Sequence, residues 1–304
     1  MIEAVIITVI TAATPLLIAA MGELVVERSG VLNLGVEGMM IVGAVSAFAT
    51  AQATGSPYVG IVAGIAAGMA LSALFALMAV RLATNQVATG LALTILGLGI
   101  AGLVGEAFVG RPGVKLQPLL PEAIANVPLI GPVLAVQDMI FYLSIALAVG
   151  VGWFLFRSRA GLKLRAVGNG PVEANALGLH VVRVRALAVL FGGACAGLAG
   201  AQLTLVYTTQ WIENITAGRG WIALALVVFA SWRPLRVVVG AYLFGAVTIG
   251  QFHAQALGVE VPSQLLAALP YLATVLVLVL IARNRRFTMT NTPASLGQPF
   301  VPDR

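Results

Sequence analysis

Seven stretches of this chain run without a single charged side chain: 4–22, 38–80, 82–105, 139–156, 186–212, 237–259 and 261–282. A helix needs roughly 20 apolar residues to cross a hydrocarbon core ~30 Å thick, and each run approaches or exceeds that length. Lipid offers no water to an open backbone, so a spanning segment must satisfy its own peptide groups as a helix. The composition agrees. Only 9% of residues are charged, against about 25% in a soluble domain, and mean hydropathy is +1.02. The sequence predicts an all-α polytopic membrane protein. Its first apolar stretch lacks a basic leader region and a small-residue cleavage site, and reads as a retained span.

Breaks between the runs predict about nine transmembrane or partly spanning segments: 2–22, 34–51, 58–80, 87–105, 139–156, 185–206, 219–232, 237–254 and 264–282. If these alternate with the C-terminus in the cytoplasm, fourteen Lys and Arg residues fall on the cytoplasmic side. Only Arg111, Lys115 and Arg219 fall outside. Basic residues favour the cytoplasmic side, so the N-terminus is expected outside and the C-terminus inside. One transmembrane unit over 1–286 and a polar tail over 287–304 follow from the same reading. The high pI of about 10.1 is then membrane topology and not nucleic-acid binding.

Two segments look irregular. Segment 219–232 is too short to cross alone at ~1.5 Å per residue. In "GVLNLGVEG" (30–38), Asn33 and Glu37 stand singly among apolar residues, as in the interrupted helices that line polar cavities. For residues 23–28 a surface loop is the equal alternative.

Much chemistry is missing. Two histidines and one cysteine are too few for a metal site at the usual ligand counts. Neither lysine sits in a phosphate-binding glycine loop, and no hydrolase motif occurs. The chain is expected to be no enzyme and to hold no cofactor. One polar island, 165–185, interrupts the apolar sequence with three arginines. Within it "PVEANALGL" (171–179) has Pro and Glu near a helix start, and Ala174, Leu177 and Gly178 at i, i+3, i+4 spacing. A groove-docking helix fits this pattern; a helix lying on anionic membrane lipid is the other reading.

"GVLNLGVEGMMIVGA", "NQVATGLALT", "LRAVGNGPVEANALGL", "GRGWIALALVVFASWRPL" and "LPYLATVLVLVL" together resemble the permease subunits of bacterial ABC importers. The similarity is greatest to the branch for nucleosides and simple sugars, related to ribose and branched-chain amino acid permeases. The resemblance covers about residues 5–284. It implies a multi-pass inner-membrane subunit working by alternating access. It also implies a second homologous permease, a lipoprotein or periplasmic binding protein, and an ATPase subunit, often with two cassettes fused in one polypeptide, that binds ATP and Mg. The family's coupling helix maps within loop 157–184 onto Gly168, Pro171, Glu173, Ala174, Leu177 and Gly178; Asn175 departs from the usual Ala. Candidate pathway residues are Asn33, Glu37, Asn85, Gln86 and Thr89, with Gln202, Tyr207, Gln251 and His253 as further candidates. Gln202 and Gln251 could equally bridge helices. The rival function is an ion-coupled secondary transporter, for which Glu37 is the best-placed carboxylate.

Overall fold

Apolar runs of this length bury their backbone polarity only by coiling, and they do so here. The computed structural model describes residues 2–121, 131–256 and 291–301, with positions 124, 126, 127, 265, 268, 269 and 272 between them. The helices are α1 (Ile2–Arg28), α2 (Val36–Thr54), α3 (Pro57–Phe75), α4 (Gln86–Gly105), α5 (Gly131–Ala135) and α6 (Met139–Arg157). They continue with α7 (Arg159–Asn169), α8 (Pro171–Ala176), α9 (Val181–Gln202), α10 (Arg219–Phe229) and α11 (Pro234–Ala256). Two of them run on as π turns, α3 through Ala76–Arg81 and α9 through Leu203–Tyr207.

Among the described residues, seven helices are long and apolar enough to cross a membrane. The expected short segment is α10, whose 11 residues span about 16 Å at ~1.5 Å per residue. The last predicted segment, 264–282, lies almost wholly outside the described residues. One boundary differs. Residues 23–28 are not a surface loop: α1 continues through them, with Leu24, Val25 and Val26 buried. The two carboxylates there find partners inside the bundle, since Glu27 accepts the Trp232 indole N–H at 2.5 Å and Glu23 accepts the Asn33 N–H at 3.4 Å.

The centre of the bundle is α2, α3 and α9, packed on one another, with α1 against α9, α10, α11 and α6. Small residues let these backbones meet. A Cβ on Gly43 of α2 would lie 2.5 Å from the Cα of Gly197 on α9. α4 meets α2 the same way, for a Cβ on Gly97 would lie 2.7 Å from the Cα of Gly38.

At one end of the bundle the arginines gather. The guanidinium groups of Arg28 and Arg165 both lie over the Phe156 ring, at 5.9 and 5.2 Å, and Arg28 donates to the Trp232 carbonyl at 2.8 Å. Such contacts let a cation sit against apolar surface. Residues 291–301 return to this end and pack beneath it, with Ser295 and Phe300 buried.

Candidate functional site

Among the described residues, the buried polar side chains of Glu23, Glu27, Ser29, Asn33 and Glu37 gather around the interruption between α1 and α2. Gly30 adopts a left-handed φ of 89° and releases the chain from α1, and residues 31–35 stay non-helical until α2 begins at Val36. This break is not at the surface. A Cβ on Gly38 would meet the Cα of Thr94 at 2.7 Å, and Thr94 lies eight residues into α4, about 12 Å along the helix at ~1.5 Å per residue. α2 therefore starts well inside the bundle.

Each unwound backbone group needs a partner there. Gln86 accepts the Leu32 N–H at 2.8 Å, and the Thr94 hydroxyl donates to the Leu34 carbonyl at 3.0 Å. The Asn33 side chain accepts the Gly35 N–H at 3.0 Å. Thr89 shares a hydrogen bond with Thr84 at 2.9 Å on the same side of α4.

Glu37, in the first turn of α2, reaches a second helix start. Its carboxylate accepts the Thr216 hydroxyl at 2.5 Å and the N–H groups of Gly218 and Gly220 at 2.8 and 2.6 Å. Gly218 and Gly220 flank the first residue of α10. A carboxylate held by the free amides of a helix N-terminus also complements the helix dipole. A Cβ on Gly220 would lie 2.6 Å from the Glu37 Cα, so this approach requires glycine. Arg219, between them, donates to the Ile215 carbonyl at 2.9 Å and lies 5.2 Å over the Tyr207 ring.

The structure thus brings Asn33, Glu37, Gln86 and Thr89 together around one break, all of them buried, with Tyr207 adjoining through Arg219 and half-buried. Asn85 is exposed and caps α4, accepting the Ala88 N–H at 3.0 Å. Gln202 is elsewhere, bridging α9 to α1 through the Thr11 carbonyl at 3.1 Å. Gln251 is buried on α11, and His253 is exposed one turn from its Ile249 partner. Sequence reasoning missed Thr94, Thr216, Gly218 and Gly220. The glycine pair flanking Arg219, just ahead of a segment too short to span, was the available signal.

Of two grooves bordering described residues, neither includes the nominated pathway side chains. One of about 710 Å³ is apolar, between α1, α6, α7 and α9 with Lys163 at its edge. The other, about 520 Å³, lies between the π turn after α3 and the start of α9.

The polar island forms two short helices. Ser158 caps α7 by accepting the Gly161 N–H at 2.9 Å, and Pro171 opens α8. Gly168 lies against the Arg28 carbonyl and Gly30, close enough that a Cβ would meet the Gly30 nitrogen at 3.1 Å. The island is therefore in contact with the α1–α2 break. The expected shared face of Ala174, Leu177 and Gly178 does not form. α8 ends at Ala176 and Gly178 turns left-handed at φ 82°, so helical spacing no longer applies beyond it. Ala174 is buried with Val167, Val181 and Phe300, whereas Leu177 is 83% exposed and Val172 is 61% exposed. Glu173 is exposed beside them.

Comparison with known proteins adds an independent line. The family described as branched-chain amino acid transport system / permease component matches residues 5–282. A putative glucose ABC transporter permease protein of Haloferax volcanii is 41% identical over 315 aligned residues, covering 96% of this chain and 95% of the relative. A nucleoside ABC transporter permease protein of Lactococcus lactis is 30% identical, over 88% of this chain and 89% of its own length. A guanosine ABC transporter permease protein of Bacillus subtilis is 28% identical, over 95% and 93%.

Proposed function

Since this chain belongs to the permease-component family of branched-chain amino acid transport systems, and is thereby a multi-pass ABC permease of the cytoplasmic membrane, we propose that it carries a nucleoside or a simple sugar inward. The relatives' substrates share a polyhydroxylated ring without charge. Amide, hydroxyl, aromatic and guanidinium side chains suit such a ring, and Asn85 at the exposed start of α4, Thr89, Tyr207 and the half-buried Arg219 supply them. Asn33, Glu37 and Gln86 hold the unwound wall in shape.

In this reading the N-terminus faces outward and the basic end faces the cytoplasm. ATP is hydrolysed by a separate subunit of one or two cassettes, docked on the exposed Val172 and Glu173 of α8 and on Leu177 just past its end. A second permease completes the pathway, and a binding protein delivers substrate from outside. One observation carries the mechanism: Gly168 of the docking loop touches Arg28 and Gly30 at the edge of the break. Movement of α7 and α8 under the cassette then shifts the end of α1 and the unwound wall together, and access alternates.

The test is reconstitution. The chain co-expressed with its genomic neighbours should retain an ATPase through purification, and vesicles should accumulate guanosine or glucose only with ATP inside. ATP-independent accumulation driven by an ion gradient would replace this reading with an ion-coupled carrier.

A further inference from the structure

Residues 291–301 read from sequence as a polar tail, yet they are bound to four separated parts of the bundle. Ser295 donates to the Gly168 carbonyl twice, through its N–H at 3.1 Å and its hydroxyl at 2.7 Å. The Gly297 N–H donates to the Gly30 carbonyl at 3.2 Å. Gln86, at the start of α4, donates to the Gln298 carbonyl at 3.4 Å, and Arg28 donates to the Asn291 carbonyl at 3.1 Å. Phe300 fills the space under Ala174.

Arg185, at the start of α9, joins these contacts into one network. It is only 2% exposed, and its planar fork reaches three acceptors. Nε donates to the Ser29 carbonyl at 3.2 Å, Nη1 to the Gln298 carbonyl at 3.0 Å and Nη2 to the Ser295 hydroxyl at 3.0 Å. A fixed fork suits such multiple bonding in a way a lysine ammonium does not.

We infer that Arg185 and the strap it holds, residues 291–301, are positioning elements that make the docking loop, the α1–α2 break and the start of α4 move as one body. This rests on the permease reading and specifies how motion reaches the pathway. Gly168 touches the break directly, but a van der Waals contact pushes without pulling. The strap ties Gly168, Gly30 and Gln86 by hydrogen bonds, so that the loop can draw the break back as well as press on it. Coupling of this kind requires elements with shared, discrete arrangements.

The experiment compares the wild-type complex in proteoliposomes with a truncation after residue 290, with Ser295→Ala and with Arg185→Lys. Guanosine, uridine, glucose and ribose are the transport probes, and uptake per ATP hydrolysed is the readout. The truncation should still recruit the ATPase and hydrolyse ATP, while uptake per ATP falls about tenfold. Ser295→Ala and Arg185→Lys should each lower it about threefold by loosening the strap without removing it. An unchanged ratio in the truncation overturns the inference. If the truncated chain fails to assemble, the point variants decide, and wild-type ratios in both overturn it equally. A wild-type complex that binds no ATPase and moves no probe defeats the permease reading and the strap with it. Normal wild-type transport beside unaltered variants defeats the strap alone.

Discussion

Glu37 joins two helix starts that are distant in sequence, and its loss should be felt in both. Leucine at this position would leave two amide N–H groups and a hydroxyl buried without an acceptor, at roughly 1–3 kcal/mol each. Glu37→Leu should therefore lower the yield of folded permease and its melting temperature in detergent, together with uptake. Glu37→Gln keeps the shape and one acceptor oxygen, and should be recovered in near-normal amounts with a smaller loss of uptake. Wild-type melting of the leucine variant would show that the carboxylate does not hold α10 in place. That "GVLNLGVEG" interrupts a helix was legible in sequence, because Asn and Gly disfavour helix interiors and no apolar pattern explains an isolated Glu. What Glu37 binds was not legible, because its partners lie 179 to 183 residues further on. Asn33 shows the same limit. It was nominated as a pathway group, and its side-chain oxygen is engaged two residues away at Gly35.

At the level of helices, hydropathy located the spans but gave little about their faces. The short α10 stood out by length alone. α1 was cut too early because Glu23 and Glu27 look like loop residues until Trp232 and Asn33 are seen to meet them. In α8, spacing placed Ala174 outward beside Leu177, whereas Ala174 is buried against Val167, Val181 and Phe300. Two variants separate the faces. Leu177→Arg should leave the permease folded and weaken ATPase retention, by about 2 kcal/mol if Leu177 fills a pocket. Ala174→Arg should instead displace Phe300 from its own chain and lower the melting temperature, since a charge would enter a buried apolar cluster. The glycine contacts make a separate prediction. Gly43→Val forces branched carbons toward Gly197 and should cost about 1–3 kcal/mol by overpacking, seen as earlier thermal unfolding with no selective effect on ATPase binding.

Across the whole molecule, the distribution of arginines predicts a topology that labelling can check. The one native thiol, Cys195, is buried, so introduced cysteines can be followed in the otherwise natural chain. A cysteine at the exposed Arg111 should react with an impermeant maleimide from outside intact cells, and one at the exposed Asn169 only after the cells are opened. The reverse pattern would invert the permease and remove α8 from the ATPase. The same basic residues that were counted for orientation turn out to do local work at one end of the bundle, around Phe156, Trp232 and the strap. A charge count cannot reveal that, because it records a side and not a neighbour. The two π turns bear on how such a chain can change length over evolution. A π turn is closed by i→i+5 bonds where an α turn uses i→i+4, so each holds one residue more than the surrounding helix needs. Loss of a residue within 76–81 or 203–207 would tighten the turn to α geometry and leave every later helix facing as before. Alignments across relatives should accordingly show single-residue gaps at these two places, whereas a gap in the middle of α2 or α4 would rotate the glycines away from their partners and be selected against.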